Sequence, residues 1–206
     1  MAVVLIDYGA GNLRSAAKAL EKAGAGAVRL SSDPRDLAGA ERIVLPGVGA
    51  FGACASALRA IDGMEDALNE AVIIRRLPFL GICVGMQLMA DEGHEFGIHK
   101  GLGWVRGVVE RMTPAGASHP KLKIPQIGWN DVEPRDKTLV LPGYAYFVHS
   151  YALCAAHPGD IAAHCHYGEP VVAAVQRENL LGVQFHPEKS QAYGLDLLAR
   201  WLAWRP

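Results

Sequence analysis

The sequence predicts an α/β fold: a mostly parallel central sheet flanked by helices, with antiparallel strands in the C-terminal half. Three observations carry this. Apolar strand-like runs alternate with helix-like segments from Ala2 to Glu92, the pattern of a parallel sheet wound with helices. The run Gly81-Ile82-Cys83-Val84-Gly85-Met86-Gln87 reads as a sharp strand-to-helix corner. After Glu92 the segments shorten, become aromatic and β-branched, and are parted by Gly and Pro.

The stretch Met1 to Asp7 opens the chain, with residues 2–7 a hydrophobic first strand. It has no basic leader, and its apolar character stops at Asp7, so it is read as a strand and not a signal peptide. Asp7-Tyr8-Gly9-Ala10-Gly11-Asn12 turns the chain into a helix from Leu13 to Ala23, with Asn12 as N-cap and Gly24 beyond its end. The turn is not a dinucleotide fingerprint, because Arg14 occupies the third glycine position.

Val28-Arg29-Leu30 is a second strand, and Ser31-Ser32-Asp33-Pro34 opens a short helix. Arg42 to Leu45 is a third strand. It runs into Pro46-Gly47-Val48-Gly49-Ala50-Phe51-Gly52, a glycine-dense loop at a strand's C-terminal end, where open α/β sheets bind ligands. Facing Cys83, this loop would offer backbone N–H groups to an oxyanion; Gly and Pro alone would also make it an ordinary connection. Residues 54–60 and 63–76 read as helices, Leu77 to Leu80 as a buried strand, and Met86 to Glu92 as the helix after the corner.

Gly101 to Trp104, Val108 to Met112 and Lys123 to Val132 look like strands, and Tyr144 to Tyr151 is a strong one. Residues 161–167, 171–176 and 180–185 read as antiparallel strands, the last two joined at Arg177-Glu178-Asn179. Ser190 caps a final helix whose apolar stripe is Leu195, Leu198, Trp201 and Leu202.

The 206 residues, half of them hydrophobic, suit a single domain spanning 1–206 with a large core. A net charge of −1 and the lack of any Lys/Arg run argue against nucleic-acid binding, and no apolar span is long enough for a bilayer. Four cysteines in this length do not make a disulfide scaffold, so reduced thiols in the cytoplasm are expected.

Cys83 is open to two readings. A cysteine is often a small apolar core residue. Here, however, it has a glycine two residues away on each side, the thiol counterpart of the G-x-S-x-G elbow, and a helix N-terminus there would favour the thiolate. A second stretch favours the nucleophile. Leu180 to Phe185 leads into His186-Pro187-Glu188, and in extended chain His186 and Glu188 would share a face, the carboxylate orienting the imidazole that serves Cys83. His149 is a rival base, but it has no carboxylate at a supporting position. His164-Cys165-His166 completes no metal-ligand set, and no metal or cofactor is expected.

The motifs G-I-C-V-G-M-Q, P-G-V-G and F-H-P-E together resemble the class I (triad) glutamine amidotransferases. Residues 7–12, Pro125 to Asn130, Tyr146 to Tyr151 and His186 to Ser190 narrow this. Over essentially the whole chain they resemble the glutaminase-subunit family of imidazole glycerol phosphate synthases, of histidine biosynthesis. Two positions depart from that family's usual pattern: Gln126, commonly His, and Gln191, often a second Ser.

The resemblance implies roles. Cys83 would attack the glutamine side-chain amide and form a thioester; His186 would protonate the leaving ammonia and then activate water; Glu188 would hold His186. The backbone N–H groups of Val84 and of the Val48-Gly49 loop would bind the oxyanion. Gly49, Gln87, Glu95 and the backbone around His149 and Ser150 would hold glutamine. The partner implied is a (β/α)₈-barrel cyclase subunit that receives ammonia through a channel, with Asn12, Trp129, Tyr146 and Lys189 on the docking face. The alternatives are a triad glutaminase serving a different ammonia-accepting synthase, a cysteine hydrolase on a similar elbow, and a non-enzymatic module; the last is disfavoured by an intact triad.

Overall fold

A computed structural model describes residues 2–114, 122–135 and 139–206; Met1, the first residue of the opening stretch, lies outside them. The elements run in the order β1 (Val3–Ile6), α1 (Leu13–Leu20), β2 (Val28–Ser31), β3 (Arg42–Gly47), α2 (Phe51–Arg59), α3 (Met64–Asn69), β4 (Phe79–Cys83) and α4 (Val84–Gln87). Then come β5 (Glu92–Gly93), β6 (His99–Lys100), β7 (Gly107–Arg111), β8 (Gln126–Pro134), β9 (Gly143–His149), β10 (Tyr151–Ala155), β11 (Ile161–His166), β12 (Pro170–Arg177), β13 (Leu180–Val183) and α5 (Gln191–Ala203).

Among the described residues one sheet has nine strands in the order β2-β1-β3-β4-β13-β12-β11-β8-β9, and a second has four, β10-β7-β5-β6. The first five strands of the large sheet are parallel and the remaining pairings are antiparallel, as expected for the two halves. In the sequence, residues 180–185 read as an antiparallel strand. In fact β13 is antiparallel to β12 but parallel to β4, so the last strand joins the N-terminal half of the sheet.

The parallel strands β1, β3, β4 and β13 are buried along their whole length, as strands covered on both faces must be. In the antiparallel half β8 alternates, and its outward positions leave Ile127 and Trp129 open to solvent. The core between the layers includes the fully buried Phe51, Phe79, Phe147, Phe185 and Trp201.

Four local expectations are corrected. The helix after the elbow is one turn, Val84–Gln87, and does not reach Glu92, which opens β5. Residues 101–104 are not a strand. They fold back on 88–91, where the N–H groups of Gly101, Leu102, Gly103 and Trp104 donate to the carbonyls of Asp91, Leu88, Ala90 and Met89. The strand predicted from Tyr144 to Tyr151 is two, β9 in the large sheet and β10 in the small one, parted at Ser150. Ser190 occupies the N-cap position of α5 but makes no side-chain cap bond. Its Oγ donates to the His186 carbonyl at 2.7 Å and accepts from the Tyr146 N–H at 2.9 Å, fastening the turn after β13 to β9. Asn12 does cap α1, its side chain accepting from the Ser15 N–H at 3.4 Å.

Candidate active site

The parallel strands end together at one edge of the sheet, and their register places the site. Gly47 of β3 lies opposite Cys83 of β4, so the Val48-Gly49 loop emerges beside the thiol. Val183 of β13 lies opposite Ile82, which carries Gln184 and His186 to the same edge. The β9–β10 corner closes the other side through the His186 N–H, which donates to the Tyr146 carbonyl at 2.9 Å.

The elbow is tight. Cys83 has φ 54° and ψ −111°, a backbone conformation that an L-residue adopts only when its surroundings hold it there. Those surroundings are close backbone. A Cβ on Gly81 would come within 2.7 Å of the Gly85 carbonyl oxygen, and one on Gly85 would collide with the Leu45 carbonyl. The two glycines flanking the cysteine are therefore required by contact between β4, α4 and β3.

Cys83 is almost completely buried, at the floor of a cavity of about 400 Å³. The cavity is also lined by Val48, Gly49, Val84, Gln87, Glu95, His149, Ser150, His186 and Lys189. Every residue expected at the nucleophile, oxyanion or glutamine positions is thus in one place, and Glu188 stands directly behind His186. Pro125, Val148 and Tyr151 complete the lining; they lie in the stretches Pro125 to Asn130 and Tyr146 to Tyr151, but nothing in their side chains assigns them a role from sequence.

His186 Nδ1 lies 2.8 Å from Glu188 Oε1, both side chains being nearly inaccessible. The expected spacing works, though not by the expected geometry. His186 precedes a 3₁₀ turn, Pro187–Lys189, rather than continuing a strand, and the turn brings residue i+2 back to the ring. Burial alone would push the imidazole down. The thiol of Cys83 and the carboxylate of Glu188 outweigh it and push His186 up to about 9. Its Nε2 is buried and makes no hydrogen bond of ordinary geometry, so the ring is held from the Glu188 side and interacts electrostatically with the sulfur on the other.

The one-turn α4 is too short to develop the dipole expected to favour a thiolate. What faces the sulfur is side chains: His186, Gln184, whose Nε2 lies 3.6 Å from Sγ, and, coupled to it electrostatically, the buried Tyr8 and Cys54. His149, the rival base, is the weaker of the two. Burial brings it down to about 4; the Tyr151 carbonyl, 2.9 Å from Nδ1, opposes this, and neighbouring His186 adds to it. A neutral ring with an Nδ1–H results.

The rest of the lining is tied to the scaffold. Glu95 accepts from the Phe51 N–H at 2.7 Å, where α2 begins. Gln87 Nε2 donates to the Tyr151 carbonyl and to Gln184 Oε1, both at 3.0 Å. The Val48 carbonyl accepts from Cys54 Sγ at 3.3 Å, which directs the Gly49 N–H to the opposite side of that trans peptide. Tyr8 donates to the Pro46 carbonyl at 2.7 Å and clamps the root of this loop to β1.

Of the expected docking residues, Lys189 reaches the cavity, with Nζ 5.8 Å from the centre of the Tyr146 ring. Trp129 sits opposite Tyr146 in the β8–β9 register and meets it edge-on at 6.1 Å. Asn12 is exposed at the start of α1. His164 and His166 lie on β11, and no metal-binding group of three or more side chains is found among the described residues.

A strained cysteine elbow, a buried imidazole-carboxylate pair and an open strand-edge cavity are the parts that a hydrolase of the cysteine triad type requires. The chain belongs to the glutamine amidotransferase class-I family, whose model matches residues 4–202. It is 52% identical to the protein called imidazole glycerol phosphate synthase subunit HisH of Rhodospirillum rubrum, over all of both chains. It is 50% identical to the protein of the same name from Zymomonas mobilis, over 99% of this chain and 96% of that one. Its fold is shared with a solved glutamine amidotransferase (TM-score 0.70, 22% identity, 95% and 98% of the two chains). It is also shared with PurLQS from Thermotoga maritima (TM-score 0.71, 17% identity, 98% and 96%).

Proposed function

We propose that the chain is the glutaminase subunit of an imidazole glycerol phosphate synthase. It hydrolyses glutamine to glutamate and ammonia and passes the ammonia to a cyclase subunit in histidine biosynthesis. The observation that carries this is the combination of full-length identity near 50% to subunits of that name with an assembled Cys83-His186-Glu188 site. The 206 residues act as one glutaminase domain in the cytoplasm. No helix among the described residues is long and apolar enough to cross a membrane.

The chemistry follows from the geometry. Cys83 Sγ attacks the side-chain carbonyl carbon of glutamine, and negative charge develops on its oxygen. The Val84 N–H and the N–H groups of the Val48-Gly49 loop receive that charge. The carbon–nitrogen bond breaks as His186, held protonated by its neighbours, gives its proton to the leaving nitrogen. Ammonia departs and a thioester remains. His186, now neutral, takes a proton from water; the hydroxide adds to the thioester, and glutamate leaves with the thiolate restored. Gln87, Glu95 and the His149-Ser150 backbone hold the substrate, while Glu188 keeps the ring in register.

Ammonia released to neutral water becomes ammonium and loses its nucleophilic lone pair, so the product must be delivered under cover. The partner in this reading is a (β/α)₈-barrel cyclase subunit, docked over the side of the cavity that Lys189 lines, with Asn12, Trp129 and Tyr146 as further contacts. Ile127, Trp129 and Tyr144 are open to solvent on the same pair of strands and support an interface there. The test is glutamine hydrolysis by the chain alone, then with the barrel subunit and its phosphoribosyl ligand. The reading expects low turnover alone, stimulation by the complex, and loss of turnover in Cys83→Ala with the fold retained. Full turnover by the isolated chain, or none in the complex, counts against it.

A further inference from the structure

Gln184 is fully buried, yet the mechanism above gives it no task. It follows β13 directly, and its side chain bridges two groups of the site: Nε2 faces Cys83 Sγ at 3.6 Å, and Oε1 accepts from Gln87 Nε2 at 3.0 Å. Gln87 Nε2 also donates to the Tyr151 carbonyl at 3.0 Å.

The Tyr151 carbonyl fixes the polarity of the whole row. A backbone carbonyl only accepts, so Gln87 must turn its NH₂ toward it. That NH₂ only donates, so Gln184 must present its oxygen to Gln87. The NH₂ of Gln184 is then left facing the sulfur. Neither amide can flip without placing two acceptors or two donors against each other in a buried site, at a cost comparable to a lost hydrogen bond. Burying an amide here is itself unfavourable compared with an apolar side chain of the same size.

We propose that Gln184 is the hydrogen-bond donor that holds the Cys83 sulfur and favours its thiolate, and that it couples the nucleophile to Gln87 at the substrate position. An N–H aimed at sulfur makes a charge-assisted bond with the thiolate and only a weak one with the thiol, so it favours the charged form. His186 acts on the same sulfur from another side, chiefly through its charge, but its Nε2 makes no hydrogen bond of ordinary geometry in the resting site, whereas the Gln184 amide does. This rests on Cys83 being the nucleophile, but its test needs no glutamine turnover.

The experiment is alkylation of the full chain by iodoacetamide across a pH series, the Cys83 peptide being followed by mass spectrometry. Gln184→Leu keeps the volume and removes the donor. The expected result is alkylation about tenfold slower at neutral pH, with the profile displaced by about one unit to higher pH. A profile superimposable on the wild type overturns the proposal. Should Gln184→Leu fail to fold, the side-chain amide protons of Gln184 decide by NMR. Signals that follow the Cys83 alkylation profile in the wild type, and lose that dependence in Cys83→Ala, support the assignment; signals flat in the wild type overturn it. An unshifted alkylation profile beside glutamine hydrolysis that disappears in Cys83→Ala removes this proposal and leaves the function standing. Hydrolysis that survives Cys83→Ala removes the function instead.

Discussion

Replacing Glu188 by glutamine separates charge from shape at the centre of the site. Glu188 Oε1 lies 2.8 Å from His186 Nδ1, and Oε2 is buried with no hydrogen-bond partner among the described residues. In Glu188→Gln the amide oxygen can still accept from Nδ1–H, but a charge-assisted bond becomes a neutral one, a loss of about 1–1.5 kcal/mol. That corresponds to about one pH unit, so His186, now up at about 9, should titrate nearer neutrality. In this orientation the amide NH₂ occupies the unpartnered Oε2 position, which costs about 1–3 kcal/mol of stability. In the other orientation the NH₂ meets Nδ1, forces the ring into the wrong tautomer, and leaves Nε2–H facing the sulfur with no base. Either outcome lowers turnover, by roughly ten- to a thousandfold depending on which tautomer dominates. The assays are glutamine hydrolysis in the complex across pH and NMR titration of the His186 ring. An unchanged rate with an unchanged ring titration would refute the assignment of Glu188 as the group that orients and charges His186.

Three further outcomes are expected. His186 is raised from 6.5 to about 9, so its pairing stabilises the fold fully below about 6.5 and is lost as pH rises through about 9. The shift corresponds to about 3 kcal/mol, the surplus of the Cys83 and Glu188 interactions over the cost of burial, and thermal unfolding should show wild type losing more stability than Glu188→Gln across that window. Gly85→Ala drives a Cβ into the Leu45 carbonyl, where both sides are backbone; a loss of about 3 kcal/mol or more should lower Tm by about 10 °C and abolish hydrolysis. Asn179→Ala removes a buried amide that donates to the Val72 and Leu77 carbonyls, both at 2.8 Å. Two acceptors are left unpaired, so denaturant unfolding should register a loss of about 2–4 kcal/mol while hydrolysis by the folded fraction persists, because the turn lies at the opposite end of β13 from His186.

The site could be read from sequence where its chemistry is local. A glycine on either side of Cys83 is demanded by backbone packed within a few residues and against one neighbouring strand, so the demand shows in the chain itself. His186 and Glu188 were paired by spacing. The pair exists, but Pro187 starts a 3₁₀ turn, and the proximity comes from that turn rather than from a shared face of a strand. Spacing of two is compatible with both geometries, so the residues were recoverable while the backbone around them was not.

What stayed hidden was set by segments far apart in the chain. Leu88-Met89-Ala90 has good helix propensity, and a helix continuing to Glu92 is the local expectation. The carbonyls of Leu88, Met89, Ala90 and Asp91 instead accept from residues 101–105, which explains both the short helix and the missing strand. Ser150 likewise carries no local signal for ending a strand. The chain parts there because β8 claims one side of the break and β7 the other. These two departures shape the site. A longer helix after the elbow would carry Glu92 away from β5 and with it the chain that brings Glu95 to the Phe51 N–H. An unbroken strand would remove the corner from which the Tyr151 carbonyl receives both Gln87 and His149. The nucleophile is specified by its own neighbours. The orientation of everything around it is specified by non-local hydrogen bonds, which is why Gln184 becomes visible only once the strands are assembled.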